Sequence, residues 1–278
     1  MKLERVIAGI EPFAKARVVE KLAGGPSSDS YLLERDAERF VLRIDTDIAA
    51  ALGLDRVTET AILTFVSRAG IGPAPEYTDV EEGIMVTRYV EGRAWTEKDL
   101  QDRNRIQNLA ALLRQLHALE PQGRVFDIVE KVDCYARTIN TADGHKLADG
   151  TRQLLRELND PLAPQCLCHN DLSSANIIEG RGLTFIDWEY AAIGDPMFDL
   201  ATIAEHHHFD KLRTKTLLDA YFDTACKDDI DRLHRYRFLY RNLLVLWLAS
   251  IERLCGISAE QQNRLQQEWA ILKTSGSL

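Results

Sequence analysis

The sequence predicts an α+β fold of two lobes: a small N-terminal lobe built on an antiparallel sheet and a larger, mainly helical C-terminal lobe. Strand-length apolar segments dominate the first 90 residues, and long helical patterns take over after about residue 92. With 278 residues, of which 45% are hydrophobic and 28% charged, the chain is long enough to bury a sizeable core. We therefore expect a small lobe over residues 1–90 and a larger lobe over residues 91–278.

Short apolar segments define the predicted N-terminal lobe. Residues 30–34 and 39–44 read as two strands of a hairpin, because both are apolar, strand-length runs separated by polar residues 35–38. Apolar residues recur at helical spacing over residues 54–69, and Gly and Pro follow as a stop. Residues 84–90 then predict another strand.

The predicted C-terminal lobe alternates between helical and strand-like patterns. Residues 99–119 carry a long helical pattern, whereas residues 165–188 return to short strands and loops, with a turn at 179–182. From residue 196 onward the pattern is again helical. The short strands therefore lie between two helical regions.

Composition excludes several classes of protein. The 43 acidic residues against 34 basic ones give a net charge of −9, which would repel nucleic-acid phosphates. No apolar run reaches the roughly 18 to 20 residues of a membrane span, and the charged N-terminus lacks a signal-peptide core. The five scattered cysteines suit a reducing compartment. We expect a soluble, cytoplasmic protein that binds neither nucleic acid nor membrane.

The segment HNDLSSAN at residues 169–176, followed by FIDWE at 185–189, carries the clearest chemical signal. Phosphoryl transfer needs a carboxylate to deprotonate the acceptor hydroxyl and oxygen ligands to hold Mg²⁺ against the phosphates. Asp171, Asn176 and Asp187 supply those groups. Each of them alone is more typical of a polar loop closed by Asx capping. Together they favour kinase chemistry.

These motifs resemble those of the choline/ethanolamine kinase and aminoglycoside phosphotransferase superfamily of protein-kinase-like small-molecule kinases. HNDLSSANII is similar to the catalytic loop of that family, and FIDWEYAAIGDPMFDLA is similar to its metal-binding segment. The resemblance extends over roughly residues 20 to 255. It implies a bilobal, protein-kinase-like fold, with ATP and Mg²⁺ as cofactors.

The resemblance also implies roles for the motif residues. Asp171 corresponds to the catalytic base, and Asn176 and Asp187 correspond to the magnesium ligands. Asp199, in the FDLA stretch, corresponds to a residue that braces the catalytic loop, and we group His169 with it as a supporting residue.

Nucleotide-binding residues follow from the same resemblance. The loop GGPSSDSY at residues 24–31 is similar to the family's small-residue loop over the phosphates, although alone it is more typical of a surface turn. Arg43 stands where protein kinases place a lysine, and Glu59 resembles its ion-pair partner; a surface salt bridge is the alternative. The main chain of residues 88–90 should meet the adenine edge. The predicted nucleotide-binding residues are Ser27, Ser28, Arg43, Glu59, Arg88 and Val90.

The predicted acceptor-binding residues are Glu189, Glu205, Tyr240 and Trp247. Carboxylates after the metal segment would attract a cationic alcohol, and aromatic faces would contact its ammonium group. The same acids could instead be solvated or cap a helix, and the aromatics could be core residues. Choline kinases usually present two tryptophans on the corresponding helix, whereas Leu244 occupies the place of one here. This departure counts against choline itself and leaves ethanolamine, thiamine or another small amino alcohol open.

The sequence thus predicts an ATP- and Mg²⁺-dependent kinase that phosphorylates the hydroxyl of a small, cationic metabolite of the choline or ethanolamine type. Thiamine kinase and aminoglycoside phosphotransferase are the alternatives within the same chemistry. A non-catalytic nucleotide-binding protein is disfavoured because Asp171, Asn176 and Asp187 are all present. The histidines at 206–208 suggest a transition-metal site, but three consecutive helical residues point about 100° apart and cannot face one ion.

Overall fold

The computed structural model describes residues 3–158 and 163–274, and these form two compact units. The first unit comprises the described residues up to Arg93 together with Ile178–Glu189, and the second comprises the remaining described residues. Up to residue 94 the helices and strands are α1 (Leu3–Gly9), β1 (Arg17–Lys21), β2 (Ser28–Arg35), β3 (Glu38–Asp45), α2 (Asp47–Ala51), α3 (Arg56–Arg68), β4 (Pro75–Asp79), β5 (Ile84–Arg88) and β6 (Arg93–Ala94).

Five antiparallel strands form the sheet of the first unit, in the order β1-β2-β3-β5-β4. The β2–β3 hairpin closes through Asp36 and Ala37, which both have positive φ, as a two-residue turn with the twist of a hairpin requires. One face of the sheet is apolar and packs against α1 and the turn that follows it. The buried core between the sheet, α1 and this turn consists of Val6, Ile7, Ile10, Phe13, Leu33, Phe40, Leu42, Ile84 and Val86.

The predicted elements of the N-terminal region are present with small shifts of boundary. The hairpin strands are longer than predicted, the helix over 54–69 becomes α3, and the strand over 84–90 becomes β5. Asp55 begins α3 by accepting a hydrogen bond from the Thr58 amide at 3.0 Å. Strands β1 and β4 were not predicted. Most side chains of β1 are exposed, so β1 lacks the apolar alternation that identifies a half-buried strand.

From residue 103 onward the elements are α4 (Arg103–His117), α5 (Ile128–Ile139), α6 (Ala142–Leu158), β7 (Cys166–Cys168), β8 (Ile177–Glu179), β9 (Leu183–Phe185), β10 (Ala192–Gly194), α7 (Pro196–His206), α8 (Lys211–Phe222), α9 (Lys227–Cys255) and α10 (Ala259–Thr274). Strands β7, β8 and β9 fall where the sequence predicts short strands, whereas β10 was not predicted. The pattern over 99–119 forms a short 3₁₀ turn followed by α4. An antiparallel sheet and a mainly helical part confirm the predicted α+β class.

Residues 178–189 group with the first unit, whereas the sequence analysis assigned all of 91–278 to the second lobe. Strands β8 and β9 form a sheet with β6, in the order β6-β8-β9. The amide of Phe185 donates a 2.8 Å hydrogen bond to the Ile71 carbonyl. The ring of Trp188 is fully buried and lies against Gly72, where even a Cβ would come within 3.0 Å of the indole nitrogen. The contacts of Phe185 and Trp188 join residues that are more than a hundred positions apart in sequence.

In the second unit, α7 and α9 are the central helices. Every residue from Pro196 to Glu205 is buried, as expected for a helix that is surrounded by other elements. Asp195 begins α7 by accepting a 2.8 Å hydrogen bond from the Met197 amide, and Pro196 occupies the first helical position, where no amide donor is needed. Strand β7 pairs antiparallel with β10, which holds the start of the 169–176 loop beside α7.

Two further sequence expectations can be compared with the structure. Within residues 3–158 and 163–274, no helix combines the length and the apolar character needed to cross a bilayer. All five cysteines are free thiols.

Candidate active site

Arg43 and Glu59 form a buried ion pair in the first unit. Arg43 lies on β3 and Glu59 on α3; both terminal nitrogens of the guanidinium contact the carboxylate, and the Nη2–Oε2 distance is 2.7 Å. Only 13% of the Arg43 side chain and 2% of the Glu59 side chain are exposed, so the alternative of a surface salt bridge is wrong. Burial alone would raise the pKa of Glu59, but Arg43 and Arg56 outweigh it and hold that pKa below its usual value.

Arg56 extends this pair into a network that the sequence analysis did not identify. Its Nη1 donates to Glu59 Oε2 at 2.8 Å and to Glu189 Oε2 at 3.0 Å, and its Nε donates to Asp45 Oδ2 at 2.8 Å. Burial alone would lower the pKa of Arg56, yet these carboxylates raise it well above its ordinary value. The arginine is therefore a permanent cation that holds three acidic side chains together.

Glu189 and Ser27, which were predicted to contact different ligands, are bonded to each other. The Ser27 hydroxyl donates to both carboxylate oxygens of Glu189, at 3.0 and 3.1 Å. With Arg56 on the same carboxylate, the Glu189 side chain is only 8% exposed. Ser27 is buried and precedes β2, and Ser28 is the first residue of that strand. In this structure, Glu189 thus joins the phosphate-loop segment to the network around Arg56.

Asp187 is an exposed residue with a left-handed backbone, at φ +65°. Left-handed geometry is uncommon for a residue with a side chain, and aspartate tolerates it better than most. The carboxylate lies close enough to Arg43 to act electrostatically on its guanidinium. The backbone at the end of β9 therefore places this carboxylate near Arg43 in the first unit.

The predicted adenine-contacting segment follows β5. The Arg88 amide donates to the Ala74 carbonyl at 2.8 Å, and the Tyr89 amide donates to the Arg39 carbonyl at 3.0 Å. The Arg88 side chain is exposed and pairs with Glu38 at 2.8 Å. The amides of Arg88 and Tyr89 are thus already used in hydrogen bonds within the first unit. The main chain of Val90 is therefore the part of this segment that best fits the predicted contact with the adenine edge.

Asp171 and Asn176 are held together in the second unit. The loop leaves β7 and ends in a 3₁₀ turn over Ser174–Asn176, which brings the asparagine back to the aspartate. Asn176 Nδ2 donates to the Asp171 carbonyl at 2.8 Å and to Asp171 Oδ2 at 3.2 Å. His169 Nδ1 accepts from the Asp171 amide at 3.3 Å. Both neighbours therefore restrict the position of the Asp171 carboxylate.

Asp199 binds the same loop through its main chain. Its carboxylate accepts hydrogen bonds from the His169 amide at 2.9 Å and from the Asn170 amide at 2.7 Å, and His117 Nε2 lies 3.0 Å away. Burial alone would raise the pKa of the Asp199 carboxyl, but these donors outweigh it and lower the pKa. Asp199 is therefore an ionised, fully buried anchor, and His117 is a member of this anchor that the sequence analysis missed.

Glu205 is already paired with two cations. Arg237 Nε lies 2.7 Å from Glu205 Oε2, and Arg241 Nη2 contacts Oε1. Only 5% of the Glu205 side chain is exposed. The structure therefore surrounds this predicted acceptor-binding acid with arginines, which leaves little of its charge available to a cationic ligand.

The two predicted aromatic residues of α9 lie among polar partners. Tyr240 is buried and its hydroxyl is hydrogen-bonded to His206 Nδ1 at 2.7 Å. Burial and the nearby Asp171 carboxylate raise the pKa of Tyr240, so the phenol keeps its proton. Trp247 is partly exposed, and its Nε1 donates to the Tyr190 hydroxyl at 3.0 Å. Tyr190 is thus an additional aromatic residue beside the predicted acceptor side chains.

The three consecutive histidines do not share a ligand. His206 bonds to Tyr240, whereas His207 Nδ1 lies 2.7 Å from Glu97 Oε1. Burial lowers the pKa of both His206 and His207, so both rings are neutral near pH 7. The transition-metal interpretation of residues 206–208 therefore has no support in the part of the chain that the structure describes.

The residues predicted to hold Mg²⁺ fit that ion chemically. Mg²⁺ prefers oxygen ligands and is commonly held by one or two carboxylates together with substrate phosphates. Asp187 offers a carboxylate on an exposed residue. The hydrogen bonds of the Asn176 side chain use Nδ2, so Oδ1 is the atom that it can offer a cation.

Comparisons with known proteins show which family this chain resembles. The pattern of the phosphotransferase enzyme family matches residues 18–239. The protein LicA of Haemophilus influenzae is 29% identical over 241 residues, which cover 81% of this chain and 70% of LicA. The thiamine kinase of Shigella boydii is 28% identical over 198 residues, covering 69% and 67% of the two chains. The crystal structure of choline kinase LicA from Streptococcus pneumoniae superposes with a TM-score of 0.83 at 23% identity, covering 99% of this chain and 100% of that one.

Proposed function

This chain belongs to the phosphotransferase enzyme family and is a small-molecule kinase, and from that premise we propose that it transfers the γ-phosphoryl group of ATP to the hydroxyl of a small amino alcohol of the choline or ethanolamine type. The observation that carries this proposal is the anchored loop. Asp171 is positioned by Asn176, and the main chain before it is bonded to Asp199. A carboxylate fixed in this way is suited to act as a general base.

The proposed step moves one phosphoryl group. Asp171 accepts the proton of the acceptor hydroxyl while that oxygen bonds to the γ-phosphorus, and the bond between the γ-phosphorus and the leaving oxygen of ADP breaks. Asn176 and Asp187 would hold Mg²⁺, which when bound neutralises charge on the phosphates. Asn176 Nδ2 at 3.2 Å from Asp171 Oδ2 keeps the base oriented before the acceptor arrives.

Residues of the first unit are proposed to bind the nucleotide. Arg43 is already fixed by Glu59, so little side-chain entropy is lost when its guanidinium interacts with a phosphate oxygen. Ser27 and Ser28 lie at the small-residue loop before β2, where main-chain amides could donate to phosphates. The main chain of Val90 is proposed to contact the adenine edge. Glu189 is proposed to act on this loop through Ser27.

The acceptor's ammonium group is proposed to meet aromatic faces near Trp247 and Tyr240. Cation–π contacts contribute about 0.5 to 2 kcal/mol each. The Lys131 ammonium lies 6.0 Å from the centre of the Tyr190 ring, at the outer limit of a cation–π contact. Glu205 is not proposed to contact this ammonium group, because Arg237 and Arg241 already neutralise its carboxylate. The acidic net charge and the free thiols support a cytoplasmic protein without nucleic-acid partners.

A thiamine acceptor is the second candidate. The relative from Shigella boydii that is named thiamine kinase supports it. Leu244 also supports it, because an aliphatic residue in place of a second tryptophan leaves an incomplete aromatic cage for a quaternary ammonium. The two candidates share the base and differ only in the acceptor.

The test is ADP release from ATP and Mg²⁺ with choline, ethanolamine, thiamine, an aminoglycoside and a simple sugar offered separately. The proposal expects choline or ethanolamine to give the largest kcat/KM. Trp247→Leu should raise the KM for that acceptor by about 10-fold with the KM for ATP unchanged, in line with one lost cation–π contact. Preference for thiamine would select the second candidate, and preference for the aminoglycoside or the sugar would contradict both.

A further inference from the structure

A cluster of soft metal ligands lies immediately before the catalytic loop. Cys166 and Cys168 are on β7 with one residue between them, so both side chains point to the same face of the strand. Their sulfurs are 3.6 Å apart. A ring nitrogen of His117, at the end of α4, lies within 4.8 Å of both sulfurs. The proposed kinase reaction uses neither thiol.

The sulfur–sulfur distance fits tetrahedral coordination. Zinc–thiolate bonds of about 2.3 Å at the tetrahedral angle place two sulfurs about 3.8 Å apart. The observed 3.6 Å is close to this separation. Two thiolates and one imidazole are the ligands that Zn²⁺ and Cd²⁺ prefer.

We propose that Cys166, Cys168 and His117 bind a thiophilic divalent cation such as Zn²⁺ or Cd²⁺, and that this binding inhibits the enzyme. Binding releases the two thiol protons to solvent, because both cysteines ligate as thiolates. The metal and the sulfurs keep their oxidation states. The fourth position is filled by water or by the Asp199 carboxylate, which lies 3.0 Å from His117 Nε2.

A cavity of the second unit lies beside the strand that carries the thiols. Cys166 Sγ lies 3.7 Å from the Gly194 carbonyl. Gly194 and Gln165 line a cavity of about 180 Å³. This volume exceeds that of several water molecules, so a hydrated ion has room to approach the buried strand.

Inhibition follows from the two hydrogen bonds of the histidine. His117 Nδ1 is 2.7 Å from the Tyr221 hydroxyl, and Nε2 is 3.0 Å from Asp199 Oδ2. Whichever nitrogen binds the metal must give up one of these bonds. Because Asp199 also holds the His169 and Asn170 amides, the change reaches the loop that carries Asp171. The inhibitory part of this inference rests on the proposed function, whereas the binding part does not.

The test of binding is a titration of the full chain with Cd²⁺, followed by the ultraviolet charge-transfer absorption of Cd–thiolate bonds. We expect one equivalent to saturate the signal and two protons to be released per ion. Cys166→Ala and Cys168→Ala should each reduce the affinity by at least about 100-fold. The matched control is Cys226→Ala with Cys255→Ala, which removes two exposed thiols and should leave the titration unchanged.

Two results would overturn binding: absence of the charge-transfer signal in the wild type, or loss of the signal in the exposed-thiol control. Circular dichroism of each variant shows whether it folds. If Cys166→Ala does not fold, Cys166→Val, which fills the buried position, is used in its place. For inhibition, Zn²⁺ should lower phosphoryl transfer at least about 10-fold in the wild type but not in Cys168→Ala. Binding without inhibition would refute the coupling to Asp199, and absence of any basal transfer would refute the proposed function instead.

Discussion

The carboxylate of Asp199 and the amide of Asn170 are joined by a 2.7 Å hydrogen bond inside the second unit. Asn170 has φ +65°, a left-handed conformation that the surrounding contacts must stabilise. Its side-chain Nδ2 also donates to the Tyr190 carbonyl at 2.9 Å. The residue before Asp171 is therefore fixed on both its main chain and its side chain, and the direction of the Asp171 carboxylate depends on Asp199.

Asp199→Asn should lower kcat by about 100-fold and leave the KM for ATP within about threefold. The amide keeps the size of the carboxylate but replaces one acceptor oxygen with a donor, which faces the His169 and Asn170 amides. A displaced base costs rate even when the base itself is unchanged. Steady-state kinetics checks this expectation. An Asp199→Asn enzyme with wild-type kcat would show that the loop keeps its position without the carboxylate.

Glu59→Gln should lower the free energy of unfolding by about 3 kcal/mol, since it leaves the buried Arg43 and Arg56 with one carboxylate fewer. The matched control is Glu34→Gln. It breaks the pair with Arg17, whose side chains are 65% and 42% exposed, and such pairs contribute about 0 to 1 kcal/mol. Urea denaturation of the three proteins measures the difference. Equal losses in both variants would mean that burial of the Arg43–Glu59 pair is unimportant for stability.

Acid should destabilise the protein from about pH 6.5 downward. Burial lowers the pKa values of His206 and His207, so the unfolded chain binds protons below its pKa of 6.5 while the folded chain does not. The contribution of these two histidines to the free energy of unfolding is therefore fully present above pH 6.5. It is lost as the pH falls toward their lower pKa values in the folded protein. The lowered pKa of Glu59 adds a second loss below its ordinary 4.5. Thermal melting against pH checks this, and His206→Gln should flatten the slope between pH 6.5 and 5. An unchanged slope in that variant would contradict the assignment.

Gly180→Ala should destabilise the fold by about 1 to 3 kcal/mol, because the added Cβ would overlap the Glu91 carbonyl. Gly182, two residues later in the same turn, has nothing within 4 Å of the position of a Cβ. Gly182→Ala is therefore the control and should be nearly neutral. Differential scanning calorimetry compares the two melting temperatures. A neutral Gly180→Ala would show that the β8–β9 turn moves without cost.

The parts of the site that are contiguous in sequence could be predicted. Asp171 and Asn176 are five residues apart, and the loop between them is closed by bonds within that segment. The buried pair of Arg43 and Glu59 was indicated only by resemblance to the family. Its burial could not be predicted, because it depends on how α3 packs beside β3.

The network around Arg56 could not be predicted, because its partner Glu189 is 133 positions away in sequence. Helical spacing of Arg56 and Glu59 was the one local signal available. Glu205 is a residue for which the sequence predicted a role that the contacts do not favour. The sequence indicated that its carboxylate binds a cationic acceptor, whereas the tertiary structure shows that this carboxylate is paired with Arg237 and Arg241, four residues apart on α9.

The most direct test is the rate at which the purified protein forms phosphorylated choline from ATP and Mg²⁺, compared with that of Asp171→Asn. Product is quantified by mass spectrometry, and ATP binding is measured by calorimetry. The account predicts that the variant loses at least about 100-fold in rate while it binds ATP as the wild type does. A variant that phosphorylates choline at a rate within about threefold of the wild type would contradict Asp171 as the base.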